Sequence, residues 1–276
     1  MGIQRTQAVI IPRMEVKRLV KKKRVRNTAI SIFTLLMIVF IWWLVTDGLH
    51  LVASSAMASP VKVVQTFFQK MTDKSPDGAT LLQHTLASLK IAMVGYFLAV
   101  IIGVPLGIFM AWIKVVDLMV RPIFDLIRTI PGIAWISLLI IVFGVGNTSR
   151  YIVVFLAAVV PCILNSFSGI KQTKDVHLWV GQTFGAGSRQ LLWSVAIPTA
   201  LPMIMTGVKV ALGASWMTIV AAELLASSRG LGFMIQQGRG IYRPDIIMVG
   251  MVVIGIIGGI MAKVLDLISK AIIKGR

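Results

Sequence analysis

The chain has 276 residues, of which 57% are hydrophobic and only 14% are charged. A soluble domain carries about 25% charged residues and about 45–50% apolar ones. The composition therefore excludes an ordinary soluble domain, and the high apolar content excludes a disordered chain. Positive charges predominate, with 28 Lys and Arg residues against 10 Asp and Glu residues and a formal net charge of +18. Such a basic chain suggests either nucleic-acid binding or a membrane topology signal, and the placement of the charges decides between them.

Six stretches are apolar enough, and near enough to the roughly 20 residues that a helix needs, to cross a bilayer. The third is broken by Pro131 and Gly132, and its first half carries Arg121, Asp125 and Arg128. The predicted fold class is an all-α polytopic membrane protein with six transmembrane helices. The predicted spans cover residues 27–46, 85–112, 121–143, 151–170, 200–226 and 246–268.

Lys and Arg residues cluster on one side of this six-span arrangement. The basic arm at residues 1–26 holds nine of them, and its side of the membrane holds seventeen in all, against seven on the other side. Cytoplasmic segments carry such an excess, so we predict cytoplasmic termini and an orienting arm. The transmembrane domain then covers residues 27–276.

A cleaved signal peptide and a nucleic-acid or lipid-binding arm are the alternatives for the basic arm. The apolar run that follows it is longer than the 7–15 residues of a signal core, which disfavours a signal peptide. The orienting function also accounts for the charge without any nucleic-acid partner.

The outer segment at residues 59–74 predicts a helix that lies on the membrane surface. Pro60 after Ser59 is typical of a helix start. Apolar residues then recur three, four and seven positions apart, which gives one apolar face. We expect this helix to rest on the membrane, with a platform for an outer partner as the alternative. The apolar residues are Val61, Val64, Phe67, Phe68 and Met71.

The sequence contains no constellation typical of catalysis or metal binding. Its three histidines are far apart, and no P-loop sequence occurs. The single Cys162 can form neither an internal disulfide nor a metal cluster, so a small buried apolar role is expected. We therefore predict no catalytic residue, no metal ligand and no cofactor on this chain, which is not an enzyme.

The inner loop at residues 171–199 is longer than a connection between two spans requires. It predicts a helix ending at Phe184, a flexible corner at Gly185–Gly187 and a second helix with Ser188 as its N-cap. The chain is then expected to break and restart into the fifth span. Such a helix-turn-helix is a rigid projection that can transmit force into the spans it joins. The residues expected to break the chain are Pro198 and Pro202.

The spacing within this loop has a counterpart in a known family. Gly185 is followed by nine residues and then by Val195–Pro198. This resembles the coupling motif of permease subunits of binding-protein-dependent ABC importers, in which a glycine, nine residues and I-x-L-P follow an E-A-A triplet. Trp179–Gly181 stands where that triplet is expected. The resemblance implies that an ATPase docks on the loop, through Thr183, Phe184, Gly185, Ala186, Gly187, Ser188, Arg189 and Pro198.

Four further segments narrow the resemblance to the nitrate, sulfonate, taurine and bicarbonate permeases. They are TIPGIAW at 129–135, FGVG at 143–146, VAAE at 220–223 and SRGLGF at 228–233. The resemblance covers about residues 59–268. Among these permeases, the segment VAAELLASSRGLGFMIQ is most similar in sequence to taurine and alkanesulfonate permeases.

The resemblance implies the fold of a type I importer permease and a set of partners. These are a second permease copy, two cytoplasmic ATPase subunits that carry ATP and Mg²⁺, an outer substrate-binding protein that is periplasmic or lipid-anchored, and the lipid of a prokaryotic inner membrane. The expected cargo is a small oxyanion, first of all taurine or another alkanesulfonate, moved by alternating access. Nitrate and bicarbonate are alternative cargoes, and a stand-alone secondary transporter is the alternative class.

Charged residues fall within the predicted spans. Inserting one at the centre of a membrane helix costs about 2.5–3.5 kcal/mol of free energy, so each needs a partner or a water-filled cavity. Lys209 and Glu223 share a face of the fifth span, about 21 Å apart along its axis. They line a pathway, or they pair with neighbouring spans, for instance Glu223 with Arg128 or Lys90. The candidate pathway or gate residues are Arg128, Asn165, Lys209, Gly213, Trp216 and Glu223.

Two glycine pairs place small residues on one face of a helix. They are Gly103 with Gly107, and Gly255 with Gly259. Because glycine lets helix backbones approach closely, we expect packing contacts within the chain at both pairs. A seam between two copies of the chain is the alternative.

Overall fold

A computed structural model describes residues 13–225 and 227–274, with side chains for residues 26–225 and 227–273. The first twelve residues of the predicted basic arm lie outside the described residues. Within the described ranges the chain is all-helical, as predicted. The helices are α1 (Arg13–Trp43), α2 (Pro60–Thr72), α3 (Leu81–Trp112), α4 (Lys114–Thr129), α5 (Trp135–Phe143), α6 (Asn147–Lys171), α7 (Asp175–Thr183), α8 (Ser188–Leu191), α9 (Ile197–Leu225), α10 (Leu231–Gly240) and α11 (Pro244–Lys274).

The chain divides into two compact units, residues 1–62 and 63–276. The first unit contains α1, which continues past residue 26 into the apolar stretch and ends in a π-helical turn at Leu44–Gly48. Large apolar side chains from Ile30 to Ile41 are exposed. A helical stretch that is apolar all round is typical of a membrane span, so the part of α1 after residue 26 is the first predicted span.

Five helical stretches are long and apolar enough to cross a membrane, and a sixth candidate is a bent pair. In that pair, α4 and the segment Gly132–Phe143 meet at 83°. The bend falls at Pro131, as predicted, and the preceding Ile130 is extended with φ −90° and ψ 119°. Proline disfavours the helical conformation in the residue before it, which explains the position of the break. The six predicted spans thus correspond to five unbroken stretches and one broken span.

Small residues let α3 and α6 pack closely at the centre of the second unit. A side chain at Gly103 would meet Val159 and Cys162, and one at Gly107 would meet Ile163. This confirms the packing interpretation of the first glycine pair and the buried role of Cys162. At Gly255 and Gly259, no described atom lies within 4 Å of the place where a Cβ would stand, so the packing expected there is absent from the described residues.

Replacing Gly107 with valine is expected to destabilise the chain by about 1–3 kcal/mol, because the Ile163 backbone cannot move aside for the new side chain. The same change at Gly255 meets open space. Both variants alter helix propensity equally, so the comparison isolates the contact between α3 and α6. The measurement is the melting temperature of the detergent-solubilised protein, and equal shifts in the two variants would contradict the prediction.

The predicted surface helix is α2, and its two faces differ. Val61 and Phe68 on the apolar face are exposed, whereas Thr66 is buried and its Oγ1 donates to Asp245 Oδ2 at 2.8 Å. The Lys62 backbone N–H donates to Ser59 Oγ at 3.3 Å, which supports the predicted helix start. An exposed apolar face opposite a fixed polar face suits a helix that lies along a membrane surface.

Candidate functional site

The inner loop folds as the predicted helix-turn-helix, formed by α7 and α8. Gly185 has a φ of +80°, which glycine adopts without strain. The backbone N–H groups of Gly185 and Ala186 donate to the carbonyl oxygens of Gln182 and Gly181, at 2.8 and 3.0 Å. These hydrogen bonds satisfy carbonyl groups at the end of α7 and close the corner.

Two details of this loop differ from the prediction. Gly187, not Ser188, occupies the N-cap of α8, and Ser188 Oγ instead accepts a hydrogen bond from Trp112 Nε1 at 3.1 Å. The chain also does not break before the fifth span. It continues from α8 through a π-helical turn at Leu192–Ala196 into α9, because the wide turn accommodates the missing N–H donor of Pro198. Pro202 likewise lies inside α9.

The tip of the loop carries an exposed apolar patch on α7 and its end. Phe184 is 87% exposed, and three further apolar side chains of α7 are more than half exposed. The patch lies outside the candidate spans. Exposed apolar surface of this kind is typical of a site that contacts another protein or a membrane surface. The four residues, called the coupling patch below, are Val176, Trp179, Val180 and Phe184.

The base of the loop is fixed to the spans on both sides. Leu191 and Leu192 are buried, and the hydroxyl groups of Thr173 and Thr199 lie 3.0 Å apart across the two flanking spans. The predicted docking residues from Thr183 to Arg189 lie at the tip, and Pro198 lies at the base. A force applied to the tip would therefore reach α6 and α9 directly.

The predicted pathway residues of α9 have different surroundings. Lys209 Nζ lies 2.8 Å from Asp266 Oδ1 of α11, and Trp216 is buried and donates from Nε1 to the Ile254 carbonyl oxygen at 3.1 Å. Gly213 is open, with no described atom within 4 Å of its Cβ position. The neighbours change along the helix, so residues that share one face do not share one environment.

The two candidates outside α9 make local contacts. Arg128 Nε lies 2.7 Å from Asp125 Oδ1 one turn earlier on α4, and both side chains are partly exposed. Asn165 Nδ2 donates to the Pro161 carbonyl oxygen at 2.9 Å, and the Asn165 side chain lies against Gly207 of α9. The six candidate pathway residues are therefore distributed along the spans and do not form one cluster.

Glu223 is the most enclosed of the predicted pathway residues, with 1% of its surface exposed. Ser88 Oγ of α3 lies 2.8 Å from both carboxylate oxygens, and the Gly232 N–H donates to Oε2 at 3.0 Å. Arg150 of α6 donates to Ser227 Oγ at 2.6 Å, in the segment between Glu223 and Gly232. The suggested pairing with Arg128 or Lys90 is therefore wrong, since Arg128 is paired on α4 and Lys90 is exposed.

A second buried polar group adjoins the first. His84 Nδ1 accepts from the Gly230 N–H at 3.1 Å, so the proton of the neutral ring lies on Nε2, 3.3 Å from Asp77 Oδ2. Asp77 Oδ1 accepts from Lys70 Nζ at 2.6 Å. Together these residues hold α2, α3, α9 and the turn at 230–232 in one arrangement. This group, called the outer network below after the predicted outer side of the membrane, comprises Lys70, Asp77, His84, Ser88, Arg150 and Glu223.

Residues 103–276 match the family described as binding-protein-dependent transport system inner membrane component. The chain belongs to this family. Over 235 residues it is 38% identical to the taurine transport system permease protein TauC of Escherichia coli K12, covering 84% of each chain. It is 28% identical to the nitrate import permease protein NrtB of Leptolyngbya laminosa, over 89% of this chain and 87% of that one. These findings confirm the predicted permease branch and the location in the inner membrane.

A solved structure supports the fold of this permease independently. An inward-facing crystal form of the MetNI methionine ABC transporter contains a chain that superposes with a TM-score of 0.61. The match covers 69% of this chain and 95% of that one at 19% identity, so the likeness is one of fold.

Sequence reasoning missed most of the outer network of this permease. His84 and Ser88 lie four residues apart, on one face of α3 that also buries Leu81 and Ile91. That spacing was an available signal, because polar residues on a buried helix face need partners. Asp266, the partner of Lys209, was also not predicted, although it lies within the predicted sixth span.

The outer network makes the stability of this permease sensitive to acid. Asp77 lies outside the spans, and although burial raises the pKa of its carboxyl, the contacts with His84 and Lys70 hold that pKa below its usual 3.8. A carboxylate with a lowered pKa stabilises the fold at higher pH, and this contribution is lost as the pH falls below about 4.

Asp77→Asn is therefore expected to cost about 1–3 kcal/mol at neutral pH. It should also lose less further stability than the wild type below about pH 4, because no charge remains to be protonated. Unfolding midpoints measured against pH in detergent check both effects. Asp73→Asn in the same loop, at an exposed position, is the control. An unaltered acid profile in Asp77→Asn would contradict the prediction.

Proposed function

We propose that this permease is the membrane-spanning subunit of an ATP-driven importer of a small oxyanion, first of all taurine or another alkanesulfonate. The observation that carries the proposal is the 38% identity to a taurine permease over 84% of both chains. The chain is equally similar, at 28% identity, to an aliphatic sulfonates permease and to a nitrate permease, so the preference for taurine rests on the first comparison alone.

The coupling patch supports a partner ATPase on the inner side. ATP and Mg²⁺ would bind to two such ATPase subunits, while two copies of the permease form the pathway and an outer binding protein delivers the cargo. Closure of the ATPase dimer would push the loop tips, and the fixed bases would pass that movement to α6 and α9. The pathway then opens alternately to each side.

Reconstitution with the partner ATPase and binding protein tests the class of transporter. Uptake of labelled taurine into proteoliposomes should require all three components and ATP. Uptake that persists without ATP or without any ATPase would overturn the proposal in favour of a secondary transporter.

A ligand screen of the binding protein tests the cargo. Thermal shifts with taurine, alkanesulfonates, nitrate and bicarbonate should be largest for a sulfonate. A shift with nitrate or bicarbonate alone would select the alternative cargo, and a response only to uncharged ligands would overturn the oxyanion class.

A further inference from the structure

The charged residues of α4 form a stripe that neither the coupling loop nor the outer network uses. Positive and negative side chains alternate along the stripe, separated by three, four, four and three residues. These spacings place all five side chains within about 80° of arc around the helix axis. Arg121 contacts both carboxylate oxygens of Asp117, the shortest at 2.7 Å, and Arg128 contacts Asp125. The stripe comprises Lys114, Asp117, Arg121, Asp125 and Arg128.

Two contacts place this stripe beside α6. The guanidinium carbon of Arg121 lies 4.8 Å from the centre of the Phe167 ring, and Gly132 lies against Ala157. Phe167 and Ala157 are ten residues apart on α6, or about 15 Å. Phe167 lies one turn before the end of α6, and Lys171 lies over the same ring, so Arg121 lies at the end of this candidate span. The segment from Arg121 to Gly132 then runs from that end toward the middle of the span.

The stripe differs from the other two faces of α4. Phe124 is buried in the core, while Leu118 and Leu126 form an exposed apolar face that suits contact with lipid. The side chains of Asp125 and Arg128 are 43% and 44% exposed. Charges at membrane depth face the interior of the assembly or a water-filled cavity, because hydrocarbon does not solvate them.

We propose that the stripe lines the water-filled pathway and that Arg121 and Arg128 are successive binding positions for the oxyanion. A guanidinium presents paired N–H donors that match two oxygens of a sulfonate. The two arginines are about 10 Å apart along the helix, and each is held by an aspartate until an anion displaces that carboxylate. The competition keeps binding weak, and weak binding allows release. The choice of cargo rests on the proposed function, whereas the water access does not.

Water access is tested with single cysteines at Asp125 and at its neighbour Leu126. The native Cys162 is fully buried. A charged methanethiosulfonate reagent, applied to membrane vesicles that contain the importer, should label D125C at least about tenfold faster than L126C. The reason is that only the thiolate reacts, and it does not form in hydrocarbon. Equal rates, or faster labelling of L126C, would overturn the pathway assignment.

Anion binding is tested by changing each member of one ion pair. R128Q should lower ATP-driven taurine uptake by about tenfold or more, with the amount of co-purified ATPase unchanged, because the anion loses its guanidinium partner. D125N removes the competing carboxylate, so it should slow release of the anion and lower uptake less than R128Q does. Equal losses in both variants would show that the pair is only structural. K74Q, at an exposed position outside the spans, is the control.

The outcomes separate this inference from the proposed function. If the wild type transports no oxyanion, the proposed function fails, and the cysteine labelling still decides whether the stripe lines a pathway. If the wild type transports taurine and both R121Q and R128Q match it, the binding positions are refuted while the proposed function stands.

Discussion

Glu223→Ala is expected to destabilise this permease by about 2–5 kcal/mol. The substitution leaves the Ser88 hydroxyl and the Gly232 N–H without their shared acceptor in a buried site. Each unsatisfied buried polar group costs about 1–3 kcal/mol, whereas Arg150 keeps its own hydrogen bonds to Asn147 and Ser227. The measurement is the unfolding midpoint in detergent.

Two comparison variants make this expectation specific. Glu223→Gln keeps an acceptor for the turn at 230–232 and should cost less, about 1–3 kcal/mol. Leu225→Ala removes an exposed side chain two residues further along α9 and should change stability by no more than about 0.5 kcal/mol. Should Glu223→Ala unfold at the wild-type midpoint, the buried contacts of Glu223 would contribute nothing to stability.

The spans were predictable because a bilayer imposes a strong constraint. Backbone polar groups must be satisfied within each span, so a membrane helix shows as one long apolar stretch whatever its neighbours are. The break at Pro131 was predictable for a similar reason, because proline acts on its own backbone. The coupling loop was found from the spacing of Gly185 and Pro198, which requires no knowledge of the other spans.

The surroundings of the polar residues were not predictable in the same way. Helical periodicity put Lys209, Gly213 and Trp216 on one face, yet α11 covers Trp216 while Gly213 stays open. Ser88 and Glu223 are separated by 135 residues, and their contact depends on how α3 and α9 pack. The sequence pattern of one helix determines which of its side chains share a face. The residues that contact that face depend on how the helices pack.

Phe184→Asp is expected to abolish ATP-driven uptake by uncoupling the permease from its ATPase. Phe184 is the most exposed residue of the coupling patch, at 87%, and aromatic anchors contribute about 2–4 kcal/mol to protein interfaces. That loss corresponds to about a 30- to 1,000-fold weaker association. The closed corner of the loop is formed by backbone groups of other residues, so the fold should be unaffected.

Co-purification of the ATPase with tagged permease, together with the melting temperature of the permease alone, separates docking from folding. Gln182→Asp introduces the same charge on the same exposed helix, but it removes no apolar contact. A selective loss of the ATPase from Phe184→Asp, with both variants melting like the wild type, would show that the apolar patch is the docking surface. Retention of the ATPase by Phe184→Asp would show that the ATPase docks elsewhere on the inner face, because Phe184 is the most exposed side chain of the coupling patch.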